Sequence, residues 1–255
     1  MARQDELTKM LEEGDYEGLL SRLREITSML KDEDPERRKF AVQVLGELSE
    51  VDINRVKRYY SKILRLTEDP SEEVKAVAFR SLAKMAENWE RAVERYPETI
   101  DILRRGLLDP SPKVRSSVVY AAERIGERDP ERVCRWLLLR IEGEKEVGIK
   151  HLLLKAVRKL ARKVSVAFLF NSVLPILETV VMRRDIISSE ARRVLQELRS
   201  DLLRKVPAAG VCAEVDRIDY AVRSGDLEEG FRNLDKLIVA LEHNVAAERA
   251  LRVLK

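Results

Sequence analysis

Six apolar stripes of one spacing run along the chain. Counted from Arg37, the positions four, seven, eight and eleven residues later are Ala41, Val44, Leu45 and Leu48. From Val74 they are Ala78, Ser81, Leu82 and Met85, and from Val114 they are Val118, Ala121, Ala122 and Ile125. That spacing gathers the residues on one face of an α-helix. The same template fits Leu153, Ala156, Val157 and Leu160 after Ile149, and Ala191, Val194, Leu195 and Leu198 after Ile187. It fits Phe231, Leu234 and Ile238 after Leu227, with one polar lapse at Asp235. Successive anchors are 37, 40, 35, 38 and 40 residues apart. A second helix fits between each pair of stripes, over 15–31, 52–67, 89–108, 130–141, 164–182 and 207–223. Asp15, Asp52 and Asn88 are placed to cap these helices, and Pro130 and Pro207 suit a first helical turn. Nothing alternates with the period of a strand. The spacing therefore predicts an all-α chain of helix pairs stacked as a solenoid.

Three of the stripes share an entry phrase: Asp34-Pro35-Glu36-Arg37-Arg38, Asp69-Pro70-Ser71-Glu72-Glu73-Val74-Lys75 and Asp109-Pro110-Ser111-Pro112-Lys113-Val114-Arg115. An Asp-Pro turn, a Val-Lys or Val-Arg pair, then spaced Ala and Leu together resemble HEAT repeats over residues 15–244. The match is closest over 34–126, with Arg37 standing where the family usually has an aliphatic. Pro97 and Pro175 are similar to the family's mid-helix proline, which bends the first helix of a repeat. The resemblance implies a right-handed α-α superhelix in a single domain over 1–255. A capping helix covers 1–14, helix pairs cover 15–51, 52–88, 89–128, 129–163, 164–206 and 207–244, and a closing helix covers 245–255. It also implies an inter-repeat ladder, with Arg38, Lys75, Arg115 and Lys150 on the basic rail and Asp34, Asp69 and Asp109 opposite. Ser188 and Glu228 interrupt that rail.

Composition narrows the functional classes. Charged residues make up 36% and aromatics 5% of 255 residues, which suits helices with few aromatic anchors. Scarce Gln and Asn beside abundant Lys, Arg and Glu is a hyperthermophile-like bias. Cys134 and Cys212 form neither a disulfide framework nor a zinc site, and Cys134, in the run Val133-Cys134-Arg135-Trp136-Leu137, reads as a small buried hydrophobe. The longest apolar stretch, 164–182, contains Ser165, Asn171, Pro175 and Glu178, so it reads as a buried helix rather than a membrane span. With no apolar leader after Met1, a cytoplasmic placement is expected.

His151 and His243 are the only histidines, and neither sits beside a Cys or Ser in a nucleophile arrangement. Gly14, Gly18, Gly225 and Gly230 belong to helix entries, not to a phosphate loop. No catalytic residue, metal, cofactor or small-molecule substrate is therefore expected. Some HEAT-like solenoids resemble DNA glycosylases that remove alkylated bases. Such a site needs an aromatic cage, whereas Trp89 and Trp136 fall on first helices and Tyr120 and Phe79 lie near Glu123.

Charge is unevenly spread despite a formal net charge of only +3. Residues 147–184 carry Lys150, Lys155, Arg158, Lys159, Arg162, Lys163, Arg183 and Arg184 against Glu178 alone. In such repeats the second helices line the concave face. Positions opposite the apolar stripe include Phe79 and Arg80, Val119 and Tyr120, then His151, Leu154, Lys155, Arg158 and Arg162, then Arg192 and Arg193. A scaffold for acidic or amphipathic protein segments is the expected function, with Arg80, Tyr120, His151, Lys155, Arg158, Arg162, Arg192 and Arg193 as the contact set. The alternative is a solenoid that contacts a nucleic-acid phosphate backbone.

Overall fold

A computed structural model describes residues 2–183 and 186–205, and Tyr220. The helix pair expected at 207–244, the closing helix at 245–255, and the calls on Cys212, Glu228 and His243 lie outside the described residues. The chain divides into two compact units, Met1–Leu160 and Ala161–Lys255.

In the first unit α1 (Ala2–Glu13) ends at Gly14, whose φ of 72° is open to glycine without strain. There the Asp15 N–H donates to the Met10 carbonyl at 2.8 Å and closes the helix end. The first pair is α2 (Tyr16–Ser21), α3 (Leu23–Ser28) and a 3-10 turn, Met29–Lys31, followed by the return helix α4 (Pro35–Val51). The second is α5 (Ile53–Val56), a 3-10 turn, Lys57–Tyr59, and α6 (Tyr60–Leu66), with return helix α7 (Glu72–Asn88). The third is α8 (Ala92–Arg95) and α9 (Glu98–Gly106), with return helix α10 (Pro112–Ile125). The fourth is α11 (Pro130–Gly143) and α12 (Val147–Ala161). The second unit holds α13 (Val166–Phe168), a π-helical turn, Leu169–Val173, α14 (Leu174–Met182) and α15 (Ser188–Lys205). No strand occurs among the described residues.

The stripes are the core. Ala41, Val44, Leu45 and Leu48 of α4 are fully buried, as are Leu153, Ala156, Val157 and Leu160 of α12. Each such Leu or Val side chain contributes roughly 1.5–3 kcal/mol by leaving water. Helix α7 packs between α4 and α10. The polar member of its stripe, Ser81, is explained by a close approach. Its hydroxyl donates to the Val42 carbonyl at 2.9 Å, and a Cβ added at Gly46 would stand 2.6 Å from the Ser81 Oγ. A small residue on each helix lets the two backbones meet.

First helices are interrupted, and not only at proline. Pro97 stands between α8 and α9 and breaks the helix outright instead of bending it. Pro175 leaves its helix continuous, preceded by the π-helical turn that widens the ladder before it. Asp15 and Asp52 cap as expected, accepting from Gly18 N–H and from Asn54 and Arg55 N–H. Asn88 does not: it is the last residue of α7 and its amide donates to the Lys84 carbonyl at 2.9 Å. Trp89 then packs edge-on against Tyr60, which stacks on Tyr96, so this aromatic cluster belongs to the first-helix layer.

An ion-pair ladder ties the repeats together, shifted one repeat from a simple base-and-acid rail. Arg38 donates to Asp69 through Nε and Nη2, both at 2.8 Å, and Lys75 donates to Asp109. Arg115 donates to Glu144 through the same two atoms, again at 2.8 Å. Each acid also holds its own turn. Asp69 and Asp109 accept from the N–H of Ser71 and Ser111 at 2.9 Å, and Glu144 accepts from Lys145 and Glu146. Asp34 has no part in a rung and caps α4, accepting from Glu36 N–H at 2.9 Å. Lys150 lies half-buried in α12, and Ser188, buried in the second unit, donates to the Val180 carbonyl at 3.3 Å.

Candidate binding groove

The return helices of the first unit carry two polar lines on one face. Six residues after each anchor stand Gln43, Arg80, Tyr120 and Lys155, and ten residues after stand Glu47, Lys84, Arg124 and Lys159. Across α4, α7 and α10 this face holds a groove of about 520 Å³, lined by Gln43, Glu47, Val77, Arg80, Ser81, Lys84 and Tyr120.

The second line is neutralised internally. Lys84 Nζ lies 2.6 Å from Glu47 and 3.0 Å from Glu50 on the preceding return helix. Arg124 Nε lies 2.8 Å from Glu87, and Lys159 Nζ lies 3.2 Å from Glu127 and 3.7 Å from Glu123. Each cation reaches back one repeat, so this is a second ladder on the groove face. Burial pulls the Lys84 ammonium down, but hydrogen bonds to Glu47 and Glu50 outweigh it and leave the group raised above its ordinary value. Such half-exposed pairs contribute up to about 1 kcal/mol each, so they set the face's charge more than its stability.

The first line is different. Arg80 is exposed, and its Nε donates to Ser117 Oγ at 3.1 Å. Tyr120 is half-buried beneath Arg124, whose guanidinium carbon lies 3.6 Å from the ring centroid. Lys155 is exposed and makes no ion pair among the described residues.

Of the contact set read from sequence, Arg80 and Tyr120 line the groove. His151 and Arg158 are half-buried on α12. Arg162, Arg192 and Arg193 belong to the second unit, where Arg162 lies 3.2 Å from Asp201 and Arg193 lies 3.9 Å from Glu190. Phe79, Val119 and Leu154 do not face the groove: they are buried at 2%, 1% and 0% exposure, with Ala76 and Ala83. A return helix within a row is flanked on both sides, so its lateral positions are covered and the open strip is narrower than half the helix. Apolar spacing does not reveal the groove-face ladder; its signal in the sequence is the acids and bases ten and thirteen residues after successive anchors.

Stacked helix pairs joined by ladders, with a groove across their return helices, define an α-solenoid. Residues 23–122 and 60–147 match the family model described as HEAT repeats, and over that segment the chain is a HEAT-repeat protein. HEAT repeats generally serve as protein-interaction scaffolds. No curated protein matches the chain. No helix among the described residues is long and apolar enough to cross a membrane.

Proposed function

We propose that the protein is a non-catalytic scaffold that holds a segment of a partner protein in the groove across α4, α7 and α10. The groove itself carries this reading. Three successive return helices contribute to one concavity, with the half-buried ring of Tyr120 in its lining. Aromatic and arginine side chains in such settings supply most of the binding energy of protein interfaces. Rigid stacking positions them before the partner arrives, which lowers the ordering cost of binding.

Site-specific photo-crosslinking tests it. A benzophenone side chain at Gln43 or Val77 is expected to give one shared adduct in native extract. The same group at Leu139, exposed on α11, is expected to give none of it. Adducts from Leu139 alone would place the interaction surface on the first helices and remove this reading.

A further inference from the structure

The two polar lines on the groove face differ in one respect that bears on the occupant. In the second line, ten residues after the anchors, each of the cations Lys84, Arg124 and Lys159 already faces a carboxylate. In the first line Arg80 and Lys155 carry charge and make no ion pair among the described residues, and Tyr120 stands between them. The Lys159–Glu123 and Arg80–Ser117 contacts place α7, α10 and α12 side by side on this face. One helical turn before Lys159 and Arg124 come Lys155 and Tyr120, which fixes them in the same line.

From this geometry we infer that the groove, together with the strip of α12 beside it that carries Lys155, takes an extended protein segment bearing two carboxylates. One meets Arg80 and the other meets Lys155, with an apolar residue between them on Tyr120. The inference rests on the scaffold reading above and deepens it. Neighbouring helix axes stand 8–10 Å apart, so Arg80 and Lys155, two helices removed, are about 20 Å apart. An extended chain advances about 3.3 Å per residue, which sets the two acids about six residues apart. A phosphate backbone fits less well. It carries a charge roughly every 3.4 Å per strand, and its charges between Arg80 and Lys155 would find no free cation, because Lys84, Arg124 and Lys159 are already paired with Glu47, Glu87 and Glu127.

The test uses the full chain and fluorescein-labelled peptides in a Ser/Thr/Val background, read by anisotropy. One probe has two glutamates about six residues apart, a second has them about two apart, and a third has lysines in place of both. The first is expected to bind tightest, about tenfold above the lysine probe, the modest gain that two exposed ion pairs supply. Arg80→Glu with Lys155→Glu should reverse the order of the glutamate and lysine probes. Circular dichroism should be unchanged, because both side chains are exposed. Binding that ignores probe charge and is lost in Tyr120→Ala would overturn the charge register while leaving the groove reading intact. No binding of any probe, together with no crosslink from Gln43 or Val77, would overturn both. An oligo(dT) probe bound at physiological salt through Arg80 and Lys155 would show that the occupant is a phosphate backbone and overturn the inference.

Discussion

Arg115 closes a two-point pair on Glu144, the residue that follows α11, with both N–O distances at 2.8 Å. The same guanidinium donates to the Asp109 and Pro110 carbonyls at 3.0 and 2.9 Å, so one side chain joins two turns. The Glu144 carboxylate is fully buried. Burial opposes its charge most strongly, but Arg115, the Glu146 and Lys145 N–H groups and Arg140 together lower it to about 2. A depressed acid stabilises the fold above its unfolded value of 4.5, and that stability is lost as pH falls towards about 2. The contribution is about 3 kcal/mol at neutral pH. Glu144→Gln should therefore unfold more easily than wild type at pH 7. The gap should narrow steadily below pH 4.5, as urea melts at stepped pH would show. A constant gap across that range would mean that Glu144 does not act through its charge.

Arginine and lysine do different work on the ladder. Arg38 spans to Asp69 and also donates to the Asp32 and Glu33 carbonyls at 2.8 and 2.9 Å, whereas Lys75 makes only the Asp109 rung. A lysine at 38 keeps the charge but cannot fork to the turn. Arg38→Lys should cost about 1–2 kcal/mol, the worth of the charge-assisted bonds lost. Thermal melts of that variant beside Lys75→Arg, expected near or above wild type, measure the difference.

Two glycines in the same unit should respond oppositely to alanine. A Cβ at Gly106 would stand 2.6 Å from both Phe79 Cζ and Val118 Cγ2, where α9 meets α7 and α10. Gly106→Ala should destabilise by about 1–3 kcal/mol through overpacking. Gly148, in α12, has nothing within 4 Å of its added Cβ. Gly148→Ala should stabilise by about 0.4–1 kcal/mol by restricting the unfolded chain. Chemical denaturation of both variants decides the pair.

How much of this was legible depends on the range of the force involved. Apolar spacing is local, so Leu45, Leu82 and Leu153 could be placed on the right faces from sequence. The ladder acids Asp69 and Asp109 are announced by the proline beside them, but Glu144 sits in an Asp-Pro-free turn. Only its reach to Arg115 across the repeat reveals it. Helix spacing alone puts Phe79 and Val119 on the groove face, because a single helix has no neighbours. The flanking helices that bury them are a property of the stack. Arg80 and Tyr120 escape that burial and line the groove.

Cys134 offers a direct probe of stack integrity. It is fully buried on α11, and burial first, then the charge of Glu131, pushes its thiol up to about 12. The thiolate is the reactive form, so both access and ionisation protect it. Alkylation with iodoacetamide at pH 8, read by peptide mass mapping at Cys134, should be undetectable in the native protein. It should become complete in denaturant. In Glu144→Gln the same site should alkylate measurably faster than in wild type, because weakening the Arg115 rung raises the open population of the α11 repeat. Equal protection in both proteins would mean that α11 opens independently of the ladder.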